Sequence, residues 1–221
     1  MRIISGTSKG RRLATPPGRA IRPTSDRVKG SIFNSLGNDI AGKLVLDLFA
    51  GTGNLGCEAL SRGAKRVVFV ESGKHALSII RKNLLLCGMH SSAEVLSSDV
   101  DRAIRIFHEQ GAAFDLILMD PPYRKGFLQS TLAELENRRI YHQESILVIQ
   151  HDRREPLPDI SGSWTLLRQR RMGDTLISFL RPKASRLAPS GLSLSAGASI
   201  HLKQSEEVIR WLKREKKKTR V

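Results

Sequence analysis

The chain has 221 residues, 40% of them apolar, enough for one α/β domain whose core needs no disulfides. Its 37 Lys and Arg stand against 21 acids, a formal charge of +16 and a pI near 10.6, which favours polyanionic partners and says nothing of fold. Cys57 and Cys87 give neither a disulfide framework nor a zinc spacing, no apolar leader opens the chain, and no run approaches the ~18 residues of a membrane span; a cytoplasmic protein without membrane contact is expected.

Residues 1–23 are basic, broken by Gly and Pro, and read as a hairpin or extension packed on the body. In Arg22-Pro-Thr-Ser-Asp-Arg-Val28, Thr24 or Ser25 can cap a helix with the apolar face Val28, Ile32, Phe33 and Leu36, and Gly37 as its stop. From Lys43 onward, strands and helices alternate. Strands are expected over 44–49, 66–71, 93–97, 114–120 and 145–150, with helices over 54–62, 74–86, 102–110 and 126–138. This predicts a doubly wound, mostly parallel sheet covered on both faces. Trp164 to Arg171 and Thr175 to Leu180 flank the turn signal Met172-Gly-Asp174 and read as a hairpin, so a seven-stranded sheet ends with antiparallel strands. The body therefore spans 24–182. Residues 183–221 begin as a Ser/Ala/Gly/Leu linker and end in a basic segment with helical pattern over 203–218. That tail holds ten Lys and Arg against three Glu, so the rest of the charge belongs to the body. A disordered extension, a docked helix and a phosphate-gripping arm all fit it, the first and last best.

Two motifs carry chemistry. Asp47-Leu-Phe-Ala-Gly51-Thr-Gly53-Asn-Leu-Gly56 joins the first strand to its helix, with glycines where the backbone must turn tightly and approach a ligand. The same spacing satisfies the dinucleotide pattern G-x-G-x-x-G, with Glu71 twenty residues beyond Gly51. Asp47 separates the readings, because an acid at the strand end repels a pyrophosphate and attracts an ammonium or sulfonium. A ligand with positive charge and a ribose is expected, and S-adenosylmethionine has both. Glu71 can accept the two hydrogen bonds of a ribose diol, and Asp99, in Ser97-Ser-Asp-Val100, one from an adenine amine. For Asp99, which directly precedes a helix, an N-cap is an equal reading.

The second motif ends the strand Phe114-Asp-Leu-Ile-Leu-Met-Asp-Pro-Pro-Tyr123, which cannot continue through residues lacking an N–H. The carboxyl ends of parallel strands are where α/β sheets bind ligands. There the Asp120 carboxylate and the Pro121 carbonyl can accept the N–H groups of an exocyclic nucleobase amine, Pro122 fixes the turn, and Tyr123 offers a stacking face. Taken alone, these four residues are equally a strand-ending turn with a surface aromatic. The six histidines do not cluster with acids or cysteines at ligand spacing, so no metal is expected.

With Arg22-Pro-Thr-Ser-Asp-Arg-Val28 upstream and Arg171-Met-Gly-Asp-Thr175 near the end, this order of motifs resembles the bacterial 16S ribosomal RNA guanine-N2 methyltransferases that modify the small-subunit head, over roughly residues 1–181. The resemblance implies a Rossmann-like class I methyltransferase fold. It implies S-adenosylmethionine held by Asp47, Phe49, Gly51, Gly53, Glu71, Ser72, Asp99 and Val100, and a target guanine at Asp120, Pro121, Pro122 and Tyr123. Arg22, Thr24, Asp26 and Arg27 would lie against RNA. The implied partner is 16S rRNA, free or within a small subunit or assembly intermediate, and the implied state is a monomer. Gly30 departs from the pattern, which has an acid there, and the extension after residue 182 has no counterpart. Three other readings are an adenine-N6 methyltransferase on DNA or RNA, which D-P-P-Y fits equally, an RNA-binding assembly protein with an inactive pocket, and an NAD dehydrogenase. The last leaves Asp47, D-P-P-Y and the charge unexplained.

Overall fold

A computed structural model describes residues 1–16, 25–37, 39–160 and 162–184. Arg22, Thr24 and the tail with its expected helix over 203–218 lie outside the described residues. Seven strands, β1 (Leu44–Asp47), β2 (Arg66–Glu71), β3 (Ala93–Ser97), β4 (Phe114–Met119), β5 (Tyr141–Asp152), β6 (Trp164–Met172) and β7 (Thr175–Pro182), form one sheet in the order β3-β2-β1-β4-β5-β7-β6. The first five are parallel, and β7 pairs antiparallel with both β5 and β6. The expected doubly wound sheet with an antiparallel end is present. Strand order reverses at β1, whose neighbours are β2 and β4, and such a switch point opens a crevice beyond the carboxyl ends.

Among the described residues, five α-helices cover the sheet: α1 (Asp26–Leu36), α2 (Asn54–Ser61), α3 (Lys74–Leu86), α4 (Val100–Glu109) and α5 (Phe127–Asn137). Alternate residues of the central strands feed two cores, so Val45 packs with α1, α2 and α3 while Leu46 packs with α4 and α5. α1 forms as its pattern requires. The Ser25 hydroxyl accepts from the Val28 N–H at 3.2 Å, and Gly37 ends the helix at a φ of 59°. Phe33, at 0% exposed, alone stabilises this layer by roughly 1.5–3 kcal/mol. Gly56 lets α2 close on β2, because a Cβ there would stand 2.2 Å from the ring of buried Phe69.

Some boundaries differ from expectation for local reasons. β1 stops at Asp47, although the Leu48 N–H still donates to Leu118 O at 3.0 Å, and β4 stops at Met119, ahead of Asp120 and two prolines that have no N–H for the ladder. β5 begins at Tyr141, four residues early, through an irregularity that pairs Tyr141 with Phe114. α4 begins at Val100, because Asp99 is its cap.

The described N-terminal residues form an antiparallel ribbon, with Arg2 bridged to Arg12 and the Ile3 N–H donating to Arg11 O at 2.9 Å. A buried ionic cluster fastens it to α1 and α2. The Glu58 carboxylate accepts the N–H groups of Ile4 (2.8 Å) and Ser5 (3.1 Å) and the Arg62 Nε (2.8 Å). The Lys29 ammonium donates to Arg2 O (2.6 Å) and Asn54 Oδ1 (2.7 Å) and lies 3.5 Å from Glu58. Burial lowers the Lys29 pKa against the opposing pull of Glu58 and Asp26. At Gly30 a Cβ would meet only Ile4 of the ribbon, at 3.9 Å.

Candidate active site

Three acids stand at the carboxyl ends of three adjacent strands: Asp47 is the last residue of β1, Glu71 the last of β2, and Asp120 lies just beyond β4. Asp47 is 1% exposed. Its Oδ2 accepts from the Gly56 N–H at 3.0 Å, three residues into α2, whose own N-cap is Gly53 and offers no side chain. Asp47 thus caps that helix from a distance and meets the positive end of its dipole. Its Oδ1 is buried with no hydrogen-bond partner among the described residues. Burial raises the Asp47 pKa from 3.8 to about 7, the Gly56 N–H opposes this, and the charges of Asp120 and Glu71 add to it.

The glycine loop bends through Gly51 and Gly53, at φ of 54° and 79°, values that side chains rarely adopt. Glu71 braces it: one carboxylate oxygen accepts from the Gly51 N–H at 2.8 Å and the other from Gly73 at 2.7 Å. Each oxygen has a second lone pair, so the half-buried carboxylate retains capacity for a diol. Ser72 is exposed beside it. Asp99 is the N-cap of α4, its Oδ1 accepting from the Arg102 N–H at 2.8 Å, so the structural reading weighed for it is realised. Val100 packs partly buried against the α4–α5 core. Phe49 is half-buried and meets the ring of Phe127 edge-on at 5.8 Å, forming an apolar wall between the glycine loop and α5.

After β4, Asp120 is partly buried, Pro121 buried, Pro122 exposed and Tyr123 half-buried. A clamp from the end of β5, not foreseen from sequence, holds this turn. Gln150 Nε2 donates to the Tyr123 hydroxyl at 3.0 Å. The buried Glu155 carboxylate accepts the Arg124 N–H at 2.7 Å. Arg124 has a φ of 56°, the only positive value at a non-glycine among the described residues, and costs of order 1 kcal/mol or more. Glu155 is itself fixed, its N–H on Asp152 O at 2.9 Å and its carbonyl 2.8 Å from His151 Nδ1. Polar residues directly after the apolar run Ile146 to Ile149, namely Gln150 to Asp152, were the available signal. Of the residues expected against RNA, Asp26 and Arg27 stand in the first turn of α1, Asp26 within 3.6 Å of Arg2 and 3.9 Å of Lys29.

The residues present suit a cationic nucleoside. An acidic crevice with an unsatisfied buried oxygen at Asp47, a glycine loop open to close approach and a ribose-competent Glu71 flank the switch point. Strand order, antiparallel end and this site define a class I methyltransferase fold. Within that class, the chain belongs to the family described as Conserved hypothetical protein 95, which matches residues 1–181. It is 36% identical over 183 residues to YlbH of Bacillus subtilis, covering 83% of this chain and 100% of that one. It is 33% identical over 173 residues to Ribosomal RNA small subunit methyltransferase D of Escherichia coli K12, covering 78% and 85%. The solved structure of yhhF from Escherichia coli superposes with a TM-score of 0.73 at 32% identity, covering 84% of this chain and 99% of that one. No helix among the described residues is long and apolar enough to cross a membrane.

Proposed function

We propose that this protein transfers the methyl group of S-adenosylmethionine to the exocyclic N2 amine of a guanine in 16S rRNA. The observation that carries this is the D-P-P-Y turn, clamped by Gln150 and Glu155 beside the acidic switch point. The name of the 33% identical relative, a small-subunit rRNA methyltransferase, supports the RNA class.

S-adenosylmethionine supplies an electrophilic methyl on a sulfonium whose charge disappears on transfer. The chain's own residues bind and align. Asp47 and Glu71 supply negative charge and acceptors for the donor, with Asp47 favoured in its ionised form by a nearby cation. Asp120 and the Pro121 carbonyl accept the amine's N–H groups, which orients its lone pair toward the methyl. The proton lost from nitrogen as the N–C bond forms can leave along the Asp120 hydrogen bond to solvent. Tyr123, its hydroxyl fixed by Gln150, stacks on the base, which must be unstacked at a cost of a few kcal/mol. These are positioning and electrostatic effects, with no covalent enzyme intermediate.

Mass spectrometry of 16S rRNA from cells lacking the protein tests the proposal. One N2-methylguanosine should be missing, and purified protein with donor should restore it on small subunits or naked rRNA. Loss of an N6-methyladenine mark instead would replace the guanine target.

A further inference from the structure

β6 is the outer strand of the sheet, paired to β7 on one side only. A strand over a core alternates covered and open residues, yet Thr165 through Arg170 are all exposed. Arg168 and Arg170 stand opposite Phe179 and Ile177, which belong to the core under α1, so both arginines rise on the α1 face. Register continues from Arg170 through Ile177 to Gln150, placing Arg170 and Gln150 in one row about 10 Å apart, two strand spacings. Gln150 is the residue that holds Tyr123. β6 runs in the same direction as β5, so these arginines lie toward the end of the sheet that carries D-P-P-Y.

Their charge is uncompensated. Among the described residues neither Arg168 nor Arg170 has a carboxylate within salt-bridge reach, and Asp174, the single acid in 164–184, is held by Arg153 at 2.7 Å. Charged side chains on an edge strand can also serve to block strand pairing. Blocking alone accounts poorly for this strand, which leaves Leu166 and Leu167 45% and 48% exposed and gathers its arginines at the end nearest the base site. Guanidinium groups match phosphate oxygens in geometry as well as charge.

We infer that Arg168 and Arg170 hold phosphates of the RNA flanking the target base, so that the substrate strand crosses the sheet edge on the α1 face. The inference rests on the proposed RNA substrate and gives that substrate a second grip beyond the α1 segment. The test is an Arg168→Gln/Arg170→Gln double variant, with Arg168→Lys/Arg170→Lys as partner. Methyl transfer is measured on unmethylated small subunits, naked 16S rRNA and DNA over a range of KCl concentrations. Wild type should modify RNA. The Gln variant should raise KM for RNA roughly tenfold with kcat and donor affinity unchanged. It should also flatten the salt dependence of log KM by ~1.4–1.8, from ~0.7–0.9 for each lost phosphate contact. The Lys variant should keep most of the salt slope. If wild type modifies RNA and the Gln variant matches it in KM and slope, the inference is overturned and the arginines only protect the edge. If wild type modifies DNA and not RNA, the functional reading fails and this inference with it.

Discussion

Replacing Asp47 by Asn should separate the two things its carboxylate does. Asn keeps the shape and an acceptor for the Gly56 N–H but removes the charge that burial opposes. Folding raises this carboxyl from 3.8 to about 7, so the native state binds the proton more tightly than the unfolded chain. Stability from this group is therefore full below pH 4, falls as pH rises toward 7, and is level above it. Three pH units at 1.36 kcal/mol each bound the effect at about 4 kcal/mol. At 2–4 °C per kcal/mol for a chain of this size, several degrees of Tm are at stake. Thermal unfolding without donor should show wild type and Asp47→Asn nearly level at pH 4, the variant a few degrees higher at pH 5 and further ahead at pH 8. Calorimetric donor binding should show the reverse preference: wild type weakens about fivefold from pH 7 to pH 6, as the cation must displace a proton, whereas Asp47→Asn binds weakly and without that pH dependence. Parallel Tm curves for the two proteins from pH 5 to pH 8 would refute the assigned titration.

Three further outcomes are expected. Asp120→Ala should abolish methyl transfer while donor affinity, measured by calorimetry, stays nearly intact; a normal transfer rate would remove Asp120 from the site. Glu155→Ala frees the strained Arg124 turn and should lower kcat by ten- to a hundredfold with donor binding unchanged, and Glu155→Gln, which retains an acceptor for the Arg124 N–H, should recover most of it. Lys29→Met strips a buried ammonium from Glu58, Asn54 and the Arg2 carbonyl; because Arg62 remains on Glu58, the loss should be near the low end for a broken buried pair, about 3 kcal/mol, read as a fall in the urea midpoint.

Much of the fold was legible because the central strands are buried on both faces and read as unbroken apolar runs between helical periods. The hairpin was legible through Gly173, whose φ of 65° suits a tight turn. The remote pairings were not. Lys29 looks like an exposed lysine on an amphipathic helix and is buried only because the ribbon and α2 bring Arg2, Asn54 and Glu58 to it from 25 to 29 residues away. Glu155 meets Arg124 across 31 residues, a contact set by the pairing of β4 with β5 and carried by no local pattern.

Residue type and position single out the acids in the sequence, but not the backbone N–H that each one accepts. A strand-end carboxylate suggests a ligand, yet Asp47, Glu71 and Asp99 each give at least one oxygen to a backbone N–H: Gly56, Gly51 and Gly73, and Arg102. That arrangement has a physical logic. An acid held only by a ligand would move when the ligand leaves, whereas an acid anchored to a helix start or a glycine loop keeps its second oxygen or second lone pair in place. Burial drives Asp47 toward neutrality, and the like charges of Asp120 and Glu71 gathered at the same switch point add to it. In the proposed reading, a cation bound there relieves both the repulsion and the orphaned Asp47 Oδ1, which favours a positively charged donor over a pyrophosphate cofactor.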